Sequence, residues 1–265
     1  LPTRTNKIIK LIDIPILLFT LCFRVGRNGT VLYFVPSNFQ RIKLLKFFNR
    51  IIRFKLICFI NDIESMRMEK SKEYAHAEMN SIAVADIILA PNDNSIQILQ
   101  NKYHFTNHLV SIGIWDYLNN FEPIASEHTT NMVFNEKSVA FAGNLNKAPF
   151  INELSSVNLN FNISINTCCG LLGTYLRFNN SHKCGLYLAA RVPVIVWEES
   201  GMASFVNKYK VGICVSSLHD AADIINCMDQ KVYNIYKKNA QSIGQLISEG
   251  KFFLEALEKA EKITN

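Results

Sequence analysis

Short apolar runs recur along this chain, and an amphipathic stretch follows most of them. Val31–Val35 (VLYFV), Phe54–Ile60 (FKLICFI), Asp86–Ala90 (DIILA), Leu109–Ile114 (LVSIGI), Ser138–Ala142 (SVAFA), Val192–Trp197 and Gly212–Val215 are such runs. Their length and their β-branched and aromatic content predict buried strands. The stretches between them predict helices over 38–52, 71–83, 92–101, 182–190, 200–208, 218–228 and most of 232–262. Asn92 is placed to cap the helix that follows it. Residues 151–167 fit neither period. Strands alternating with helices make an α/β protein. Periodicity is lost and polarity rises over 119–136, the expected linker. The expected organisation is therefore two Rossmann-like domains, 1–120 and 121–265, facing a cleft.

With 265 residues the chain is long enough for a sizeable core. The 28 basic and 22 acidic residues leave a formal charge of +6. That surplus suits an anionic ligand, an anionic membrane surface or nucleic acid, or is simply a solvated basic surface. Its densest cluster is Arg41, Lys43, Lys46, Arg50, Arg53 and Lys55. No RNP, helix-turn-helix or zinc-finger pattern accompanies it, so nucleic acid is not an expected partner. The seven cysteines lack metal-ligand spacing and are expected to be small buried hydrophobes of a reducing cytoplasm, with no metal site. Ile14–Phe23 is apolar but only ten residues long and contains Pro15, too short to span a bilayer; a buried helix is expected there. The chain starts at Leu1 rather than Met, so the natural N-terminus is expected upstream. Gly-x-Gly-x-x-Gly is absent, which argues against a dinucleotide-dependent epimerase or dehydrogenase.

The densest chemical signal is FNNSHKCGLYLAARVPVIVW, residues 178–197. Asn180 is expected to cap a helix whose first turn holds Ser181, His182 and Lys183. Helix N-termini carry unpaired N–H groups and about half a positive charge, which suits phosphate. A lysine there is unfavourable for the dipole unless an anion sits beside it, so Lys183 either binds a diphosphate or snorkels into solvent. His182 is read as a contact to phosphate or sugar hydroxyls, or as a structural histidine. Tyr175 is read as stacking on a ligand or as half-buried packing. In AGNLNK, Gly143 lets the backbone approach a phosphate or ribose and Lys147 can pair with a diphosphate; an ordinary turn is the alternative. In NDIESMR, Asp62 and Glu64 are the available carboxylates. Asp62 is a general base or a helix cap, and Arg67 clamps an anion or holds Glu64. Asp116 in GIWDYL either reaches the cleft or is structural.

Several of these segments, in this order, resemble a bacterial glycosyltransferase family, the β-1,6-galactofuranosyltransferase and streptococcal glucosyltransferase-3 type. They are NDIESMR, GIWDYL, FAGNLNKAPFI, YLRFNNSHKCGLYLAARVPVIVW and the tail from YNIYKKNAQSI to GKFFLEAL. The resemblance implies a GT-B-like α/β fold that moves a hexose, galactofuranose or glucose, from a UDP-sugar to a glycan acceptor in cell-envelope polysaccharide or glycoprotein assembly. It implies no cofactor and no metal, a cytoplasmic setting and a free or lipid-linked glycan acceptor. A peripheral contact with the inner membrane surface is the expectation from the basic helix at 41–55, and a homo-oligomer is a further expectation. The resemblance places the donor on Gly143, Asn144, Lys147 and Tyr175, and on Asn179, Asn180, His182 and Lys183. Asp62 and Glu64 become the catalytic carboxylates, and Arg67 and Asp116 stand on the acceptor side. The chain departs from the family in having Asn61 where a histidine is usual and Ser181 where proline is usual. The first βα unit and a Gly-Leu-Val-Trp-Asp-Gly stretch of the C-terminal domain are not found, so both domains are expected to be incomplete. A non-catalytic UDP-binding or partner-binding remnant is the alternative.

Overall fold

A computed structural model describes residues 16, 19–36, 39–68, 70–118, 138–142, 162–166 and 173–263. The chain forms two compact units, one of residues 1–90, 99–110 and 260–265, the other of 91–98 and 111–259. The expected linker at 119–136 lies outside the described residues.

The first unit is built on a sheet in the order β1 (Thr30–Val35), β2 (Lys55–Ile60), β3 (Ile87–Ala90), β4 (His108–Ser111). β1, β2 and β3 run parallel, Thr30 facing Lys55 and Ile57 facing Ile87 in register. Leu56 to Ile60 and all of β3 are buried, so these strands read as unbroken apolar runs, as parallel strands covered on both faces must. β1 alternates at its end: Tyr33 and Val35 are buried and Phe34 is exposed. The Tyr33 hydroxyl donates to the Ser81 carbonyl at 2.6 Å, which satisfies the one polar atom the ring carries inside. Helices α2 (Phe39–Ile52), α3 (Glu64–Arg67), α4 (Lys72–Ile82) and α5 (Asp93–Tyr103) connect the strands. Asn92 caps α5 as expected, its Oδ1 accepting from Ser95 N at 2.8 Å.

Ahead of β1, Leu21–Val25 winds as a π-helical turn, α1. Of the buried helix expected over 14–23, residues 16, 19 and 20 are helical ahead of this turn and 14, 15, 17 and 18 lie outside the described residues; the expected burial is what the structure does not bear out. Leu21 is buried, but Phe19 is 61% and Phe23 76% exposed. A helix that touches its unit along one side buries one stripe, and this run is apolar on the others too. Among the described residues no helix is long and apolar enough to cross a membrane.

The second unit contains two parallel pairs, β5 (Ser138–Ala142) with β6 (Asn162–Asn166) and β7 (Val194–Trp197) with β8 (Gly212–Val215). β6 lies in the stretch whose period is ambiguous in sequence. The helices are α6 (Gly173–Leu176), α7 (His182–Ala189), α8 (Ala203–Tyr209), α9 (Leu218–Cys227), α10 (Gln230–Ser248) and α11 (Lys251–Lys262). A core of Leu188, Val194, Phe205, Val206, Ala240 and Ile247 joins α7, α8 and α10 to β7. The helical stretch expected over 232–262 is two helices, broken at Gly250 with φ +74. L residues other than glycine reach that conformation only at a cost. Of the cysteines, Cys58 and Cys184 are buried as expected, and burial pushes both thiols up to about 12. Cys22 and Cys227 are exposed instead, Cys214 is half-buried, and Cys168 and Cys169 lie outside the described residues.

Gly250→Ala must hold a left-handed conformation with its new methyl 3.0 Å from Leu118 Cδ2. Urea denaturation is expected to show a loss of about 1–2 kcal/mol.

Candidate functional site

The start of α7 is held by buried amides. Asn180 is fully buried. Its Nδ2 donates to the Pro91 carbonyl at 2.6 Å and the Gly113 carbonyl at 3.2 Å. Its Oδ1 accepts from Asn92 Nδ2 at 2.8 Å, and its backbone oxygen accepts from Trp115 Nε1 at 2.8 Å. Asn92 Nδ2 donates a second bond, 2.9 Å, to the Phe178 carbonyl. Asn180 is therefore not the cap of α7, and its side chain is not presented to a donor, because every donor and acceptor on the amide is matched inside the unit. Ser181 is the cap, in the β region, and its side chain makes no capping hydrogen bond.

The residues that follow face outward. His182 is exposed and its ring stacks on Trp115, centroids 5.4 Å apart and planes 16° from parallel. Lys183 is half-buried in the first turn, which holds no acidic residue. The helix dipole and Lys183 thus add their positive potentials with no side-chain carboxylate of that turn to cancel them. Tyr175 is 4% exposed and stacks on the fully buried Phe178 at 6.3 Å, so its ring is a packing element rather than a half-exposed platform. Asn179 differs from its neighbour: its Oδ1 has no hydrogen-bond partner, and neither has the Ser200 hydroxyl. Arg177 lies over the Trp197 ring at 5.4 Å and pairs with Glu199. Sequence reasoning passed over Ser200 and Arg177; both follow from the close approach of 176–179 to the turn after β7, where Gly201 N donates to the Leu176 carbonyl at 2.8 Å. Gly143, Asn144 and Lys147 lie outside the described residues.

In the first unit the carboxylates cluster at the carboxyl end of β2. Asn61 N and Asp62 N both donate to the Val35 carbonyl, at 3.0 and 3.2 Å. Asp62 does not cap α3: the cap position is Ile63, and Asp62 pairs with Arg67 at 2.5 Å. Arg67 therefore holds Asp62 rather than Glu64. Glu64 accepts from the Tyr74 hydroxyl at 2.5 Å. The capping of α3 is done by Glu78, a fully buried carboxylate that accepts from Glu64 N at 2.8 Å and Ser65 N at 2.9 Å. Nothing in its local sequence marks Glu78 for this; the signal is a lone Glu on the inward face of an amphipathic helix. Burial, and then the bond to Glu64, push the Tyr74 phenol above its ordinary range, so it stays a donor.

Asp116 belongs to the second unit. It accepts from Phe253 N at 2.7 Å and Phe252 N at 3.4 Å, so the carboxylate sits on the first turn of α11 in a structural role. Burial pushes its pKa up and the two N–H groups pull the other way.

Asn180→Ala removes three hydrogen bonds, those to the Pro91 and Gly113 carbonyls and the one accepted from Asn92 Nδ2. It is expected to lower stability by about 3 kcal/mol in urea denaturation. Asn179→Ala removes an oxygen that has no partner and is expected to change stability by no more than about 0.5 kcal/mol. Equal costs at the two positions would contradict the division between the matched amide of Asn180 and the unmatched oxygen of Asn179.

Models of the glucosyltransferase 3-like family match the chain over residues 4–114 for the N-terminal domain and 115–260 for the C-terminal domain. A β-1,6-galactofuranosyltransferase of Escherichia coli strain K12 is 26% identical over 274 residues, covering 88% of this chain and 79% of that protein. Glucosyltransferase 3 of Streptococcus gordonii is 27% identical over 272 residues, with the same coverage of 88% and 79%. Among solved structures, the sucrose-phosphate synthase of Thermosynechococcus elongatus matches with a TM-score of 0.60 over 97% of this chain and 80% of that one, at 11% identity. That likeness is one of fold, the GT-B-like α/β architecture. With both domain models matched in order along the chain, the protein belongs to the glucosyltransferase 3-like family.

Proposed function

We propose that this protein transfers a hexosyl group, galactofuranose or glucose, from a UDP-sugar to a glycan acceptor on the cytoplasmic side of the cell envelope. The relatives that match most of the chain are named for galactofuranosyl and glucosyl transfer. The observation that carries the reading is the start of α7, where Lys183 shares the first turn with the dipole and that turn holds no acidic residue. A diphosphate leaving group develops negative charge as its bond to the sugar breaks, and preorganised positive potential lowers that barrier. Asn179 Oδ1 and the Ser200 hydroxyl are buried without a hydrogen-bond partner, and in this reading a uridine or sugar group that reaches them takes up that unused capacity. In this reading the diphosphate is stabilised by the protein and not by a metal.

The acceptor hydroxyl must lose a proton as its oxygen attacks the anomeric carbon and the bond to the UDP oxygen breaks. Asn61 has no basic group to take it. Asp62 is engaged with the Arg67 cation. Glu64 carries the role: its backbone is fixed by Glu78 and one carboxylate oxygen is held by Tyr74, and in this reading the other oxygen takes the proton.

UDP titrated calorimetrically into the wild type is expected to bind, and Lys183→Ala to bind at least about tenfold more weakly, the worth of one charge-assisted contact. A folded wild type that ignores UDP would remove the donor site and leave a family member without transfer activity. Glu64→Gln is expected to lower kcat about 100-fold with UDP affinity unchanged. Full turnover in that variant would move the base elsewhere.

A further inference from the structure

From residue 14 to residue 61 the chain contains no acidic residue and eight Lys or Arg. The remaining residues carry 20 basic and 22 acidic side chains, so this one segment holds the whole positive surplus of the protein. The structure shows how the segment is displayed. Ile42, Leu45 and Phe48 turn the inner face of α2 into the core. Its outer face carries Lys43, Lys46 and Arg50, all exposed, beside Phe47 at 55% and Ile51 at 66% exposure. Lys43, Phe47, Arg50 and Ile51 follow one another at helical spacing, so cations and apolar side chains share that face. α1 packs against α2 and adds Phe23, with Phe19 just ahead of it in the chain; the rings of Phe19 and Phe23 lie 4.5 Å apart and are exposed to 61% and 76%. Lys55, by contrast, is used internally, its Nζ donating to the Glu261 and Ile263 carbonyls at 2.7 and 2.6 Å near the end of α11.

We propose that α1 and the outer face of α2 form a docking surface for an anionic lipid bilayer. Aromatic and aliphatic side chains enter the boundary between headgroups and acyl chains, while flanking Lys and Arg meet anionic headgroups. The proposed attachment lies in the plane of the surface, because α2 turns Ile42, Leu45 and Phe48 into the core and only its outer face is free for the bilayer. A second copy of the chain fits this face poorly. A twofold contact sets the same patch against itself, and here that opposes cations to cations with no acidic residue on the segment to pair them. For the acceptor, the inference rests on the transferase reading above: an enzyme held at the bilayer takes a lipid-linked glycan.

The test is flotation of the full chain with vesicles of phosphatidylcholine, with and without phosphatidylglycerol. Binding is expected only with phosphatidylglycerol and is expected to fall as salt is raised. Lys43→Gln with Lys46→Gln and Arg50→Gln is expected to weaken it about 100-fold, at about fivefold for each cation. Phe23→Ser with Phe47→Ser and Ile51→Ser, all at exposed positions, is expected to weaken it as well while thermal unfolding stays as in the wild type. No flotation, flotation indifferent to phosphatidylglycerol, or flotation that survives both sets of substitutions overturns the proposal. Self-association abolished by the Phe and Ile substitutions, without vesicle binding, assigns the face to a second copy instead. UDP binding measured on the same preparations separates the two readings. Vesicle binding without UDP binding removes the transferase alone, and UDP binding without vesicle binding removes the docking surface alone.

Discussion

The start of α7 depends on one buried amide pair. Asn92 and Asn180 lie 88 residues apart in sequence and exchange a 2.8 Å bond, each with its remaining polar atoms spent on backbone groups nearby. An amide carries two N–H donors and an acceptor at fixed angles, so only Asn fits this position at this size. Aspartate lacks the donors, and leucine would give up the bonds to both the Pro91 and the Gly113 carbonyls. A buried polar network that is fully satisfied fixes geometry more sharply than apolar packing, since each bond has a direction. The loop 178–181, the strand end at 91 and the stretch 113–115 are thereby tied into one frame. His182 and Lys183 follow within three residues of that frame and take their places from it.

Glu78 does comparable work in the first unit with a charge instead of an amide. Four residues are too few for a helix to hold itself, because the first turn costs more conformational entropy than its hydrogen bonds return. α3 persists because a buried carboxylate binds its first two N–H groups. That places the Glu64 backbone, and Tyr74 then sets the direction of its carboxylate.

Much of the fold was legible because its physics is local. β2 and β3 are buried on both faces, so their apolar runs need no tertiary knowledge to be recognised. Asn92 could be read as the cap of α5 for the same reason, since its partner Ser95 is three residues away. β6, Asn-Ile-Ser-Ile-Asn, is too polar and too short to stand out. The break at Gly250 sits inside one continuous amphipathic pattern, where a glycine reads equally as a tolerated helical residue. The exposure of Phe19 and Phe23 depends on which stripe of α1 meets the unit, which an all-round apolar run does not encode.

The site was legible as a set of motifs, but not in the division of labour within each. Asn179 and Asn180 are chemically identical neighbours, and one is fully matched indoors while the other keeps an oxygen without a partner. Asp62 and Glu64 are two residues apart, and one is held by an arginine while the other takes a tyrosine hydroxyl. Hydrogen-bond capacity that suits a ligand suits the protein's own backbone equally well, so residue type alone cannot say which use prevails. The folded contacts decide. A polar group removed from water normally finds protein partners, and Asn179 Oδ1, buried without one, is the exception in this stretch. The stretch 178–183 therefore interleaves residues whose polar groups are matched inside the protein with residues that keep unused capacity. Replacing a matched residue should disturb folding first and ligand affinity only as a consequence, whereas replacing its unmatched neighbour should do the reverse.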